Sequence, residues 1–280
     1  ANGLFNLSNE QDEQGARETI ARLERLADEH PDVPDIAIRF ANGLLNLSNK
    51  QDEQGARETI ARLERLTDEH PDVPDIIIEF ANGLFNLSVD QDEQGARETI
   101  ARLERLADEH PDVPDIAIGF AKGLVNLSNK QDEQGAQETI ARLERLADEH
   151  PDVPDIAIGF ANGLVNLSDK QDEQGARETI ARLERLADEH PDVPDIAIGF
   201  AKGLFNLSDK QDEQGARETI ARLERLTDEY PDVPDIIIVF AKGLFNLSTK
   251  QDEQGAQETI ARLERLADEH PDVSDIINYL

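Results

Sequence analysis

The chain has 280 residues and divides into seven blocks of forty, each opening on Ala-Asn-Gly-Leu (at 1, 41, 81 and 161) or Ala-Lys-Gly-Leu (at 121, 201 and 241). Acidic residues number 61 against 28 basic ones, a net charge of −33, which argues against nucleic acid, whose binding needs a basic face, and against anionic membrane surfaces. The chain contains no Cys and no Met: the first excludes disulfides and thiol chemistry, and the second leads to the expectation of a processed form, a fragment or an engineered piece.

Self-similarity at a period of roughly 20 to 50 residues marks a repeat architecture and overrides the usual domain count from length. One array is expected, with units 1–40, 41–80, 81–120, 121–160, 161–200, 201–240 and 241–280. No apolar run approaches the length of a membrane span and no secretory signal is visible, so a cytoplasmic location is the expectation.

One unit, residues 32–71, gives the elements in chain order. Asp32, Pro34 and Asp35 mark a helix start, because proline fits the first turn and carboxylates favour its positive dipole end. Ile36, Ala37, Phe40, Ala41, Leu44 and Leu47 then follow at helical spacing, predicting helix A over 34–49. Ser48-Asn49-Lys50-Gln51 is the break. Asp52 is the next N-cap and Glu53 adds first-turn charge. Ala56, Ile60, Leu63 and Leu66 form the apolar stripe of helix B, which His70-Pro71 stops after Glu69. Its outer face pairs Glu53 with Arg57, Glu58 with Arg62 and Arg65 with Glu69 at i,i+4. Gly43 and Gly55 read as points of close helix packing.

Turns of a few residues make successive helices antiparallel. The large apolar set of one unit cannot offset the backbone entropy of ordering it, at about 1–2 kcal/mol per residue, so neighbours must stack. The fold class is therefore all-α, an α-α superhelix (α-solenoid) of seven helix-turn-helix repeats and fourteen helices.

At these residues the chain resembles the tetratricopeptide repeats. Ala41 and Ala56 stand at the small crossing positions, Phe40, Leu44 and Ile60 at large ones, and Pro71 after helix B. The recurring His30-Pro31-Asp32-Val33 is similar to the longer repeats of kinesin light chains. The resemblance implies a non-enzymatic scaffold whose helices A line a concave groove for peptides or partner proteins, with no cofactor.

The repeats differ most at Arg39, Glu79, Gly119, Gly159, Gly199, Val239 and Tyr279, and next at the Asn49 position. Asp35, Arg39, Asn42, Asn46 and Asn49 fall at steps of four and three, hence on one helical face. That face supplies the candidate ligand-binding residues. Asn6, Asn46, Asn86, Asn126, Asn166, Asn206 and Asn246 recur in every repeat, and one turn back stand Asn42, Asn82, Lys122, Asn162, Lys202 and Lys242. An amide both donates and accepts, so a ladder of Asn can pair with an extended peptide, and Lys adds points for carboxylates. The alternative is that the Asn46-type residues are solvated or cap a neighbouring helix. Phe5, Leu45, Phe85, Val125, Val165, Phe205 and Phe245 flank the ladder and are expected in the core, the alternative being that they line side-chain pockets for a ligand.

Six His at single-repeat spacing cannot converge on one ion, and the Asp28, Glu29, Asp32 and Asp35 corners lack a calcium-loop glycine turn; no metal site is expected. Seven equal copies also argue against an asymmetric active site. The expected partner is a protein or extended peptide, partly basic because the negative chain steers cations inward. Two alternatives stand. Residues 274–280 and 1–9 are the two halves of one helix A, so end-to-end self-association would rebuild it. An artificial array without a native ligand is the other, against which scattered substitutions such as Thr67, Val89 and Tyr230 read as drift.

Overall fold

The computed structural model describes residues 1–280, all helix and turn, without a strand. It is an α-solenoid of seven helix-pair repeats, in two compact units, 1–130 and 131–280. The first holds α1 (Asn2–Glu10), α2 (Glu13–Glu29), α3 (Pro34–Ser48), α4 (Glu53–Glu69), α5 (Pro74–Asp90), α6 (Glu93–Glu109) and α7 (Pro114–Lys130). The second holds α8 (Glu133–Glu149), α9 (Pro154–Lys170), α10 (Glu173–Glu189), α11 (Pro194–Lys210), α12 (Glu213–Glu229), α13 (Pro234–Thr249) and α14 (Glu253–Glu269), then a 3-10 turn, Ser274–Tyr279. Odd-numbered helices are helices A and even-numbered ones helices B.

Each helix B starts as its sequence dictates. The Asp52 carboxylate accepts from the Gly55 N–H at 2.9 Å, satisfying one of the orphan donors of the first turn. Helix A starts differently: Pro34 sits in its first turn behind Val33, which caps without a side chain, so Asp32 takes no capping part. Helix A is buried on most sides. Ala37, Phe40, Ala41, Leu44 and Leu47 are core, and Ala56, Ile60, Leu63 and Leu66 meet them from helix B. Gly43 does serve close packing, since a Cβ there would lie 3.3 Å from Ile20 Cγ1 of the preceding helix B. Gly55 does not. A Cβ at that position would meet Gln51 Cβ at 3.1 Å and Asp52 Oδ1 at 3.2 Å, so it is the cap itself that needs the glycine.

Within each unit, helix A packs on the helix A of the next repeat, while successive helices B do not pack on one another. Arginine bridges the gap between helices B. Arg62 passes over Glu58 and donates to Glu24 of the preceding helix B at 3.0 Å, its guanidinium 5.7 Å from the Phe40 ring centroid. The same pairing joins Arg102 to Glu64 and Arg182 to Glu144. Arg57 keeps the expected i,i+4 pair with Glu53, at 2.6 Å.

Lysine performs the corresponding task for helices A. Lys50 Nζ donates to the carbonyls of Ser8, Asn9 and Gln11 at 3.1, 3.0 and 2.6 Å, closing the C-terminal end of α1. Lys130 holds Val89 and Gln91 in this way, Lys210 holds Asp169, and Lys250 holds Asp209 and Gln211. The last carbonyls of a helix lack intrahelical donors and carry the negative end of its dipole, so an ammonium is well placed there.

Candidate functional site

The surface that helix A leaves uncovered is set by its packing. Two flanks are taken by neighbouring helices A and a third by helices B, which leaves a strip carrying positions 35, 38, 42, 45, 46 and 49. In the second unit this strip reads Asp195, Ile198, Lys202, Phe205, Asn206 and Asp209 on α11. Ile158, Ile198 and Ile238 form one half-exposed apolar row and Val165 and Phe205 another, which Phe245 extends at 49% exposure. The flanking aromatic and aliphatic series is therefore surface, not core. The isoleucine row was not apparent from core spacing, since Ile38 lies off the stripe that Phe40 and Leu44 define. Its signal was an invariant apolar residue on the polar side, at 38, 78, 118, 158, 198 and 238.

The ladder separates into two rungs. On the inner rung, Asn46 Nδ2 donates to Asn9 Oδ1 at 2.9 Å and Asn86 Nδ2 to Asn49 Oδ1 at 3.0 Å. Asn126 reaches the Ser88 carbonyl at 3.1 Å, Asn206 the Ser168 hydroxyl at 3.3 Å, and Asn246 the Asp209 carboxylate at 3.1 Å. These donors clasp the preceding helix A. Asn166, also half-buried, occupies the same register.

The outer rung is freer. Lys122, Asn162, Lys202 and Lys242 are exposed, while Asn42 and Asn82 are half-buried. Asn42 Nδ2 folds back to the Ile38 carbonyl at 2.9 Å, and Asn82 hydrogen-bonds Glu79. The Lys242 ammonium lies 5.4 Å from the Phe205 ring centroid, a cation–π distance. Asn6, on α1, is exposed.

The variable position 39 belongs to the seam between helices A, not to the open strip. Gly119, Gly159 and Gly199 are buried there, as is Val239, and a Cβ on Gly199 would stand 3.3 Å from Ala161 Cβ. Arg39 arches over the seam with its guanidinium 5.8 Å from the Phe5 ring. Glu79 is half-buried, and burial pushes its carboxyl above the usual range; the Asn82 hydrogen bond opposes that rise and Asp75 adds to it.

A second concavity lies between successive helices B. It is a groove of about 540 Å³ floored by Phe40 and Leu66 and walled by Glu24, Asp28, Arg62 and His70, and it recurs around Phe160. Each His closes a helix: the His70 backbone N–H caps the Leu66 carbonyl at 3.1 Å.

No family model matches this chain, and no curated protein matches it. Among solved structures, it is similar to one described as a circular tandem repeat protein with novel repeat topology and enhanced subunit contact surfaces. That similarity has a TM-score of 0.44 at 15% identity and covers 98% of this chain and 85% of the other. So loose a likeness lends no weight to any functional reading.

Proposed function

We propose that the chain is a non-enzymatic, tetratricopeptide-like scaffold, a single array over 1–280 that grips an extended, partly basic protein segment along its helices A. The observation that carries this reading is the strip itself. On helices otherwise packed from every side, one face keeps two half-exposed apolar rows beside exposed amides and ammoniums. Apolar rows supply contact area, and side-chain amides can both donate to and accept from the backbone of an extended chain. The small and large residues at Phe40, Ala41, Leu44, Ala56 and Ile60 and the stop at Pro71 support the resemblance to that family. A −33 charge favours cationic side chains in the partner, and Lys202 and Lys242 give points where its carboxylates would sit.

The test uses outer-rung and row residues, because the inner rung also holds the repeats together. Partners captured from source lysate at native salt are identified with the unaltered chain. Binding of each is then measured for Ile198→Glu with Lys202→Ala, and for Arg57→Ala on helix B. Affinity should fall at least about tenfold, or about 1.4 kcal/mol, only for the helix A variant. Equal binding by both would remove the reading. Mass that grows with protein concentration in sedimentation, unaffected by the helix A variant, would favour end-to-end association.

A further inference from the structure

Two apolar tracks cross the packed helices A of the second unit, Ile158, Ile198 and Ile238 in one and Val165, Phe205 and Phe245 in the other. On each helix the two tracks stand seven residues apart, about 10 Å at about 1.5 Å per residue. Between them run Asn162, Lys202 and Lys242, all exposed. The strip is thus two apolar tracks astride a line of hydrogen-bond donors, repeated once per helix A. The step between helices is short. A Cβ on Gly199 of α11 would stand 3.3 Å from Ala161 Cβ of α9, and packed helices lie about 8–10 Å apart.

An occupant that uses every repeat must therefore present the same side about every 9 Å. A β-strand rises about 3.3 Å per residue and alternates faces, so residues three apart point to opposite sides. A polyproline II helix has three residues per turn at about 3.1 Å each and returns to the same face after about 9.3 Å. Two turns of α-helix come close, at about 10.8 Å, but its carbonyls are bonded internally. That leaves the donor line without acceptors.

The donors decide between these shapes. Lys202 and Lys242 can only donate, and a polyproline II backbone has no internal hydrogen bonds, so its carbonyls are free. Proline lacks only the N–H, which a lysine does not need. In the same unit Lys210 and Lys250 already hold backbone carbonyls, at 2.8 and 2.7 Å. Polyproline II segments also dock on aromatic-lined surfaces, which Phe205 and Phe245 provide. Two of the three side-chain ridges of such a helix fit the two tracks, and the third points away. Exposed Asp195 and Asp235 border one track and Asp209 the other, which favours a cation at the third position.

We propose, resting on the binding role given above to helices A, that the strip of α9, α11 and α13 takes a polyproline II segment of triplet period. Each turn lies on one helix A and carries two apolar residues and one basic residue.

Two peptides of identical composition test this: four Leu-Pro-Lys triplets, and the same residues reordered so that none recurs at every third place. Their equal charge cancels general attraction to the acidic array. Titration calorimetry with the unaltered chain should show the triplet peptide binding at least about tenfold more tightly. Lys202→Ala with Lys242→Ala, both exposed, should erase that preference, and Arg177→Ala on helix B should leave it intact. Equal affinity for the two peptides, binding of neither, or a preference that survives the double lysine variant would overturn the polyproline II assignment. If captured partners still lose affinity with the helix A variant, that failure concerns only conformation and period. If they do not, the scaffold function falls with it.

Discussion

Glu79 is the one carboxylate in the helix A seam whose environment works against it. Glycine stands at the equivalent place in three repeats, and the glutamate must lay its charge across a half-buried surface. Its folded pKa lies above its unfolded one, so the folded chain holds the proton more tightly. Stability from this group is fully present below the unfolded value and is lost as pH rises through the folded one. Glu79→Gln should therefore raise the melting temperature at pH 7, and the gain should close as pH falls to about 4. Melts across that range check it; an equal gain at both ends would point to altered packing. Position 39 as a whole sets how near two helices A approach, which explains its variability better than ligand contact does. The buried Thr99 hydroxyl donates to Gln91 Oε1 at 2.7 Å. Thr99→Val should cost about 1 kcal/mol, read from the midpoint of urea unfolding.

Among the elements, helix B was legible almost in full. Asp52, Glu53, Ala56, Ile60, Leu63 and His70 each carry a local signal, and the helix runs from Glu53 to Glu69 as those residues require. The inter-helix clasps were not legible. Arg62 has Glu58 four residues away, an acceptable partner on any helical wheel, yet Glu24, 38 residues back, takes it. Only the stacking register decides between them. The Lys50 clasp is 39 to 42 residues long in sequence and ends on backbone atoms, which no side-chain pattern reveals. Arg62→Ala removes a partly exposed ion pair, worth about 0.2–1 kcal/mol, and a cation–π contact worth about 0.5–1 kcal/mol. A loss of about 1 kcal/mol is expected in denaturant titration. A double-mutant cycle with Glu24→Gln should return coupling of about half that. Zero coupling would mean that Arg62 acts through Phe40 alone.

At the scale of the whole molecule, the period of forty made the fold readable, because each repeat supplies the same two stripes and can bury them only against its neighbours. The strip on helix A was readable in its polar residues and not in its apolar ones, since exposure there depends on how closely helices A pack. Charge is the property that no single repeat reveals. At −33 over seven repeats, every unit carries a surplus of about five negative charges, and the Arg57 and Arg62 pairings consume most of the arginine without reducing it. The unpaired acids sit at helix starts, at the exposed Asp28, Asp32 and Asp35 corner and along helix B, each copied one repeat away, so like charges recur at regular spacing. Their repulsion opposes stacking, and it is long-ranged at low ionic strength. At 0.1 M the screening length is about 10 Å, comparable to the separation of neighbouring helices, and at 1 M it falls to about 3 Å. The melting temperature should therefore climb steeply up to about 1 M salt and flatten above it, in choline chloride as in potassium chloride. A flat profile from about 0.05 to 2 M would mean that the acids are neutralised within the fold rather than by the solvent. With Lys50, Lys130, Lys170, Lys210 and Lys250 of its eight Lys donating to backbone carbonyls and its Arg62-type residues paired, the chain has too few cations left for that.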